Sequence, residues 1–433
     1  MARRGVTRRT FLRTTGAALG GAALSQGLPR RVAAAEMKIG ALFPLSGPMA
    51  LLGEDMFRGA EVARKMINEQ GGVLGNQVVW AKADAPDATA ATSEAERLIN
   101  VERVKVIAGS YSSALAFAAS EVAERNKIVY WEFGATADSI TQRGFKYLFR
   151  VLQLGSNLGD VAADYMAKVV GPTFLKMDPK QMKVGIIYED TLYGTTTGGA
   201  AVARCKGHGM NVVLAETYSQ KAVDLSSIVL KLKSLRPDVM IATQYISDGI
   251  LFWRQTKELN FNVKAFSGTG AAHGLPDFPK AVGDDANYVL NSDPAVGLNT
   301  ANLTPRAQQD LKVFRERFSK EYPGRTPAVH ATLGYLGSMV LFKHVIPAAG
   351  GLDPDKIRDA AMKLDIADGD TVMGWGIKFA PPGDKNAGTN LRAYSVLMQW
   401  QEQQLHVVYP EKWATRKVVL PLPTWEERRA GKK

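Results

Sequence analysis

From Met37 onward the chain alternates short apolar segments with longer amphipathic segments, and it does so in two successive runs. At the start of the first run, 39–43 is typical of a buried strand, and apolar residues then recur every three or four positions from Met56 to Ile67. Strands that alternate with helices predict a parallel sheet with helices on both faces. Two such runs predict two doubly wound, Rossmann-like α/β lobes.

The expected elements follow this pattern along the chain. The first run predicts strands at 39–43, 77–81, 104–108 and 128–131, with helices after Gly53, at 89–100 and at 113–125. The second predicts strands at 182–188, 210–215, 239–242 and 263–266, with helices at 195–206, 225–235 and 248–259. Helices at 305–322 and 332–348 and a hairpin of 394–400 with 406–409 follow, and 417–433 is predicted as a strap or a frayed end. Two lobes of this kind commonly bind a ligand in the crevice at the carboxyl ends of their strands.

Positive charge is concentrated at the start of the chain. The formal charge is +12, and seven arginines precede Glu36, the first acidic residue; subtracting these seven leaves +5 on the remaining 398 residues. A basic surface that binds nucleic acid is therefore a poor explanation of the charge, because most of the excess lies in one removable segment.

Residues 1–35 have the layout of an export signal. Arg8-Arg9 is followed by Phe11-Leu12, then by a weakly apolar stretch rich in Gly and Ala, and then by the small residues 33–35. This layout predicts a twin-arginine signal that is cleaved after residue 35. A disordered basic tail is the alternative. The only cysteine, Cys205, excludes an intramolecular disulfide, and we expect it to be a buried residue on a helix.

Five stretches of the chain carry a further signal: 39–48, Gly71-Gly72, 109–113, 134–136 with 141–144, and 188–194. Together they resemble the type I periplasmic solute-binding proteins of transporters for branched-chain amino acids, amides and aromatic acids. No single stretch is decisive, but they occur in the family's order from Met37 to about Thr424.

The resemblance implies two lobes joined by a hinge of three crossovers. The first lobe would comprise 37–151 plus 291–373, the second 152–290 plus 374–424, and 425–433 would form a C-terminal tail. It also implies a periplasmic, non-enzymatic subunit of an ABC importer, without a cofactor, that captures a solute and delivers it to a membrane permease. We expect a monomer. A ligand-sensing receptor subunit and a two-domain α/β enzyme are the alternatives.

Candidate ligand residues follow two strands of the predicted first sheet. Ser112 and Ser113 begin a helix directly after a strand, where exposed N–H groups and the positive end of the helix dipole favour a carboxylate. Gly134, Ala135 and Thr136 follow the next strand and reach the same crevice edge. A plain helix cap and an ordinary loop are the structural alternatives.

The remaining candidates come from the resemblance and from the opposite lobe. Leu52, in the loop after the first strand, lies where the family places a bulky ligand contact. Tyr193 and Tyr245 would close over the ligand from the second lobe, unless they serve only in core packing. Thr269 is a further candidate, and His330 would form a pocket wall or begin a helix.

One departure from the amino-acid binders concerns the ligand's ammonium group. The family's acidic partner belongs in the loop 267–273, which contains no carboxylate here. Asp248 or Asp277 could substitute, although neither matches the position. Because a buried, unpaired ammonium is costly, the sequence favours a small carboxylate or amide with an apolar body over a zwitterion.

Signals for catalysis are weak. The sequence 268–270 lacks the third glycine of a dinucleotide fingerprint, and neither a nucleophile elbow nor a phosphate loop occurs. The five histidines have no metal-ligand spacing with one another or with the cysteine, so we expect no metal site.

Overall fold

The computed structural model describes residues 35–431, which form two β-sheets with helices packed on both faces. The first sheet has five parallel strands in the order β2-β1-β3-β4-β5. Their bounds are β1 Glu36–Phe43, β2 Gln77–Asp84, β3 Val106–Gly109, β4 Val129–Glu132 and β5 Leu148–Arg150. Helices α1 (Ala50–Glu69), α2 (Ala88–Asn100) and α3 (Ser113–Arg125) connect the first four strands.

The second sheet has seven strands in the order β12-β11-β10-β9-β8-β6-β7. Its strands are β6 Lys183–Glu189, β7 Asn211–Tyr218, β8 Val239–Thr243, β9 Ala265–Gly268, β10 Leu290–Asp293, β11 Val396–Gln401 and β12 Gln404–Tyr409. The strands β6 to β10 are parallel, whereas β11 is antiparallel to β10 and to β12.

Helices α4 to α9 pack against the second sheet. They are α4 Gly155–Tyr165, which runs on as a π-helix over Met166–Leu175, α5 Leu192–Gly207, α6 Ser226–Leu235, α7 Ile246–Glu258, and the short α8 Ala271–Gly274 and α9 Asp277–Val282. Cys205 is buried on α5, as predicted, and burial raises the pKa of its thiol to about 12.

After β10 the chain returns to the first sheet. It adds α10 Pro305–Glu321, α11 Val329–Val340 with its π-helical extension Leu341–Val345, α12 Ile346–Ala349 and α13 Pro354–Met362. The α1 and α11 backbones approach so closely that a Cβ at Gly59 would lie 1.8 Å from the Ala331 carbonyl oxygen. We call the first sheet with α1–α3 and α10–α13 the first lobe, and the second sheet with α4–α9 the second lobe.

The prediction of two α/β lobes is confirmed. The sequence missed β5 and β10, which are only three and four residues long. The predicted crossing after residue 290 falls inside β10, which pairs with both β9 and β11 in the second sheet.

The C-terminal segment is a strap up to the last residues described. Trp425 begins the short helix α14 (Trp425–Arg429), is buried, and donates its indole N–H to the Phe261 carbonyl at 2.8 Å. The predicted export signal lies almost entirely outside the described residues. Within 35–431, no helix combines the length and the apolar character needed to cross a membrane.

Candidate functional site

A cavity lies between the lobes, at the carboxyl ends of their strands, and residues of both lobes line it. The first lobe contributes Tyr111, Ser113, Gly134, Thr136, His330 and Leu333; the connection after β5 and the second lobe contribute Leu152, Leu158, Tyr193, Tyr245, Gly270, Ala271, Asp293 and Pro294.

The first-lobe side of the cavity contains the N-terminus of α3. Ser112 occupies the cap position with extended backbone, but its side chain makes no capping hydrogen bond. The first-turn N–H groups are therefore left for another acceptor. The Ser113 hydroxyl accepts the Ala137 N–H at 3.1 Å, which leaves its own proton available to an anion in the cavity.

Residues 134–137 form the neighbouring loop, which is held from two sides by buried charged groups. The Glu132 carboxylate accepts the N–H groups of Gly134 and Ala135, both at 2.7 Å. The Arg150 guanidinium donates to the carbonyl oxygens of Thr136 at 2.9 Å and Ala137 at 2.8 Å.

These contacts decide which groups of the loop can bind a ligand. The N–H groups of Gly134 and Ala135 are already used by Glu132. Among the described residues, the Thr136 N–H has no hydrogen-bond acceptor, and Thr136 also lines the cavity. Together with Ser113 and the start of α3, it forms an anion-binding corner.

Asp293, at the end of β10, places a carboxyl group on the opposite side of the cavity. Its residue is only 5% exposed, and within 35–431 its one hydrogen-bond partner is the Asn291 amide at 3.3 Å. Burial raises the pKa of this carboxyl to about 8, although the bond from Asn291 opposes the shift. A carboxyl group with so few partners is suited to pair with a cationic group of a ligand.

Aromatic rings span the cavity from one lobe to the other. Tyr193 and Tyr245 of the second lobe have ring centroids 5.2 Å apart, and Tyr245 lies 6.4 Å from Tyr111 of the first lobe. The Tyr111 ring meets the edge of His330 at 4.9 Å. Burial raises the phenol pKa of Tyr111 and Tyr193 and lowers the imidazole pKa of His330 to about 3, so all three are neutral near pH 7.

Six of the ten predicted site residues line the cavity: Ser113, Gly134, Thr136, Tyr193, Tyr245 and His330. The four others do not. Ser112 and Ala135 are buried just behind the lining, and the Thr269 hydroxyl bonds to Thr243 at 2.7 Å. The expectation that Leu52 lies in a loop is wrong: α1 begins at Ala50, and Leu52 is buried in the core of the first lobe.

Sequence reasoning missed Tyr111 and Asp293. Tyr111 belongs to a stretch that already resembled the family, so its position after a strand was a usable signal. Asp293 had no such signal, because β10 was not recognised and its last residue could not be placed at the crevice edge.

Comparison with known proteins identifies the group to which this architecture belongs. Residues 36–402 match the family described as periplasmic binding protein. The chain is 40% identical over 387 residues, 89% of its length and 93% of the relative's, to Leu/Ile/Val-binding protein homolog 8 of Brucella abortus.

The chain belongs to the periplasmic binding protein family. Two solved structures share its fold at lower identity. A leucine-binding protein from Thermotoga maritima superposes with a TM-score of 0.73 at 22% identity, covering 86% of this chain and 97% of that one. A solute-binding protein from R. palustris in complex with benzoate gives 0.71 at 20% identity, covering 90% and 97%.

Membership of this family makes the chain a solute-binding protein of an ABC transporter and not an enzyme. The site agrees with that role, because polar groups from both lobes line one cavity. Within residues 35–431, no cluster of three or more His, Cys, Asp or Glu side chains is arranged to bind a metal.

Proposed function

We propose that this binding protein captures a small zwitterion with an apolar body, an apolar α-amino acid, between its two lobes. The observation that carries the proposal is the placement of opposite poles across one cavity: the anion-binding corner at Ser113 and Thr136, and the buried carboxyl of Asp293. A ligand with both a carboxylate and an ammonium group satisfies both poles, and an uncharged ligand satisfies neither.

This proposal revises the ligand class that the sequence favoured. The argument against a zwitterion was the missing carboxylate in residues 267–273. Asp293 offers one from the next strand, and Gly270 of that loop donates its N–H to Asn291, the residue that also contacts Asp293. The names of the similar proteins support an amino acid as well, since they include Leu/Ile/Val-binding and leucine-binding proteins.

A second ligand class, an aromatic acid, is favoured by the rings of Tyr111, Tyr193 and Tyr245 in the lining. Because burial raises the pKa of Asp293 to about 8, this carboxyl group is largely protonated near neutral pH. In that form it is uncharged and can donate a hydrogen bond to a ligand that has no ammonium group. The benzoate complex of a structural relative supports this class.

The deciding experiment is native mass spectrometry of freshly purified protein, with identification of the released ligand. A thermal-shift panel of leucine, valine, phenylalanine, benzoate and short amides follows, because a ligand that binds the folded state raises its melting temperature. Stabilisation by the amino acids supports the proposal. Stabilisation by benzoate alone would favour the second class, and release of a chemically altered product would argue for an enzyme.

We infer the cellular setting from the N-terminal sequence and the family. Residues 1–35 direct export of the folded chain to the periplasm, where it acts as a monomer and delivers its solute to the permease of an ABC importer. Replacing Arg8 and Arg9 with lysine should leave the precursor in the cytoplasm. Normal export of that variant would reject the twin-arginine signal.

The lobe boundaries are part of the same proposal. The first lobe comprises 37–151 and a return segment up to 373, and the second comprises the segment from 152 and the chain 374–424, with 425–433 as tail. The pairing of β10 supports a second crossover after Asp293, three residues later than the resemblance implied. Limited proteolysis at the crossovers, slowed by ligand, would test these limits.

A further inference from the structure

Arg150 is the last residue of β5, at the point where the chain first leaves the first sheet. Its backbone N–H donates to the Gly388 carbonyl at 2.9 Å, and its carbonyl accepts the Asn390 N–H at 2.9 Å. The segment that contains Gly388 and Asn390 precedes β11 and leads the chain back to the second sheet. The Arg150 backbone therefore ties two of the connections between the lobes together.

The Arg150 side chain extends from this point to the anion-binding corner. Its Nη1 donates to the carbonyl oxygens of Thr136 and Ala137, at 2.9 and 2.8 Å. Its Nη2 donates to the hydroxyls of Thr141, at 2.8 Å, and Thr389, at 3.1 Å. One guanidinium thus holds the ligand loop of the first lobe and the connecting segment at Thr389.

The charge of Arg150 is buried without a direct ion pair. The residue is fully buried, and all of its side-chain hydrogen-bond partners among residues 35–431 are carbonyl or hydroxyl oxygens. Burying a cation without a direct ion pair is costly. Burial lowers the pKa of this guanidinium to about 10, although the Asp138 and Glu132 carboxyl groups oppose the shift, so Arg150 remains charged near pH 7. An anion bound at Ser113 and Thr136 would add a further negative charge and offset part of that cost.

We propose that Arg150 is a positioning residue for the carboxylate of the ligand, and that it couples the anion-binding corner to the connections between the lobes. It does so by binding the carbonyl groups of Thr136 and Ala137, the first of which also accepts the Gly155 N–H at 2.6 Å, and by supplying positive potential to the corner. This inference rests on the proposed function, because it assumes that the ligand carries a carboxylate. Arg150 itself does not touch the ligand.

The first test separates charge from geometry with two variants and two probes. Arg150→Gln removes the charge, and Arg150→Lys keeps it without the forked geometry. Leucine and leucinamide are measured by calorimetry, since they differ only in the carboxylate; benzoate and benzamide form the equivalent pair for an aromatic acid. We expect Arg150→Gln to lower the affinity for the carboxylate probe by about tenfold or more relative to its amide, which is the scale of one charged hydrogen bond. Arg150→Lys should recover part of this loss.

Arg143 offers a matched control in the same lobe. Its guanidinium also donates to carbonyl and hydroxyl groups: the oxygens of Phe117 at 2.9 Å and Ile140 at 3.3 Å, and the Ser120 hydroxyl at 2.6 Å. It makes no hydrogen bond to residues 134–137. Arg143→Gln should change the melting temperature without changing the ratio of carboxylate to amide affinity. Equal losses for both probes in Arg150→Gln, or no recovery in Arg150→Lys, would overturn the inference and assign Arg150 a purely structural role.

The second test needs no ligand and therefore separates this inference from the proposed function. Hydrogen–deuterium exchange of the unliganded protein should be faster over 134–137 in Arg150→Gln than in the wild type or Arg143→Gln. Unchanged exchange in this segment would overturn the inference even if leucine binds. Faster exchange in a protein that binds none of the probes would reject the proposed ligand class and retain Arg150 as the residue that positions the loop.

Discussion

Two buried carboxyl groups, Glu132 behind the loop 134–137 and Asp293 in the lining of the cavity, differ in how many hydrogen bonds they accept. Glu132 of the first lobe accepts the N–H groups of Ser110, Gly134 and Ala135 at 2.7 to 2.8 Å, and the Ser110 hydroxyl at 3.2 Å. Asp293 of the second lobe has a single partner among the described residues, the Asn291 amide. Burial raises the pKa of both groups, but more hydrogen bonds oppose this rise at Glu132 than at Asp293.

The difference indicates which carboxyl group serves the fold and which serves the ligand. Glu132 uses its oxygens to shape the loop that follows β4, so it has little capacity left for a solute. Asp293 keeps most of its acceptor capacity facing a cavity that also contains an anion-binding corner. Under the proposed function, the first lobe binds the negative end of the ligand and the second lobe binds the positive end.

The largest effect should come from neutralising Asp293. Asp293→Asn removes the proposed partner of the ammonium group, so leucine should bind more weakly by about 3–5 kcal/mol, roughly 150- to 5,000-fold. Benzoate affinity should change little. Calorimetry checks both, with Asp285→Asn as the control because Asp285 pairs with Lys257 at the surface. Unchanged leucine binding would show that Asp293 is as structural as Glu132.

A smaller effect should follow from the opposite pole. Ser113→Ala removes the hydroxyl donor but leaves the α3 N–H groups, so carboxylate ligands should lose roughly 1.5–3 kcal/mol, about 10- to 150-fold. The fold should survive. Ser93→Ala is the control, since the exposed Ser93 hydroxyl bonds to the Thr89 carbonyl of its own helix α2 at 3.2 Å and does not line the cavity. Equal losses in the two variants would remove Ser113 from the anion-binding corner.

The raised pKa of Asp293 predicts that ligand affinity depends on pH, an effect that Glu132 should not produce. In the unliganded protein the carboxyl holds its proton up to about pH 8, against an ordinary value of 3.8. The affinity for leucine should therefore rise with pH up to about 8, by at most about tenfold per unit, with release of a proton. Calorimetry in buffers of different ionisation enthalpy measures that release.

The same pKa shift acts on stability with the opposite sign. Because the folded state binds the proton more tightly than the unfolded state, Asp293 lowers the stability of the unliganded protein as pH rises from about 4 to about 8. The Asp293→Asn variant should lack this contribution. Identical pH profiles of unfolding for the variant and the wild type would contradict the assignment of the shift to Asp293.

The smallest effect should come from the aromatic wall. The Tyr193 hydroxyl donates to the Thr269 carbonyl inside the second lobe. Tyr193→Phe keeps the ring and removes one neutral hydrogen bond, so we expect a loss of about 1 kcal/mol in stability and little change in affinity. A loss of binding as large as that of Ser113→Ala would mean that the hydroxyl contacts the ligand directly.

Local patterns predicted the regular elements well. The helix at 113–125 and the strand at 239–242 lie where the structure has α3 and β8, because apolar periodicity, flanking turns and buried β-branched residues all agree there. The short strands β5 and β10 were missed because three or four residues provide too little periodicity. Their hydrogen bonds with neighbouring strands, which are distant in sequence, define them as strands.

The sequence by itself determined the α/β class, the two lobes and the side of each sheet where the cavity lies. It also placed Ser113 and Thr136 at that edge, because residues directly after parallel strands meet there. Only the tertiary structure decided that Asp293 joins the same cavity and that Glu132 and Arg150 shape the loop between them. The physical reason is that hydrogen-bond satisfaction and burial depend on contacts between residues far apart in the chain, such as Arg150 with Thr389, and no local pattern records those contacts.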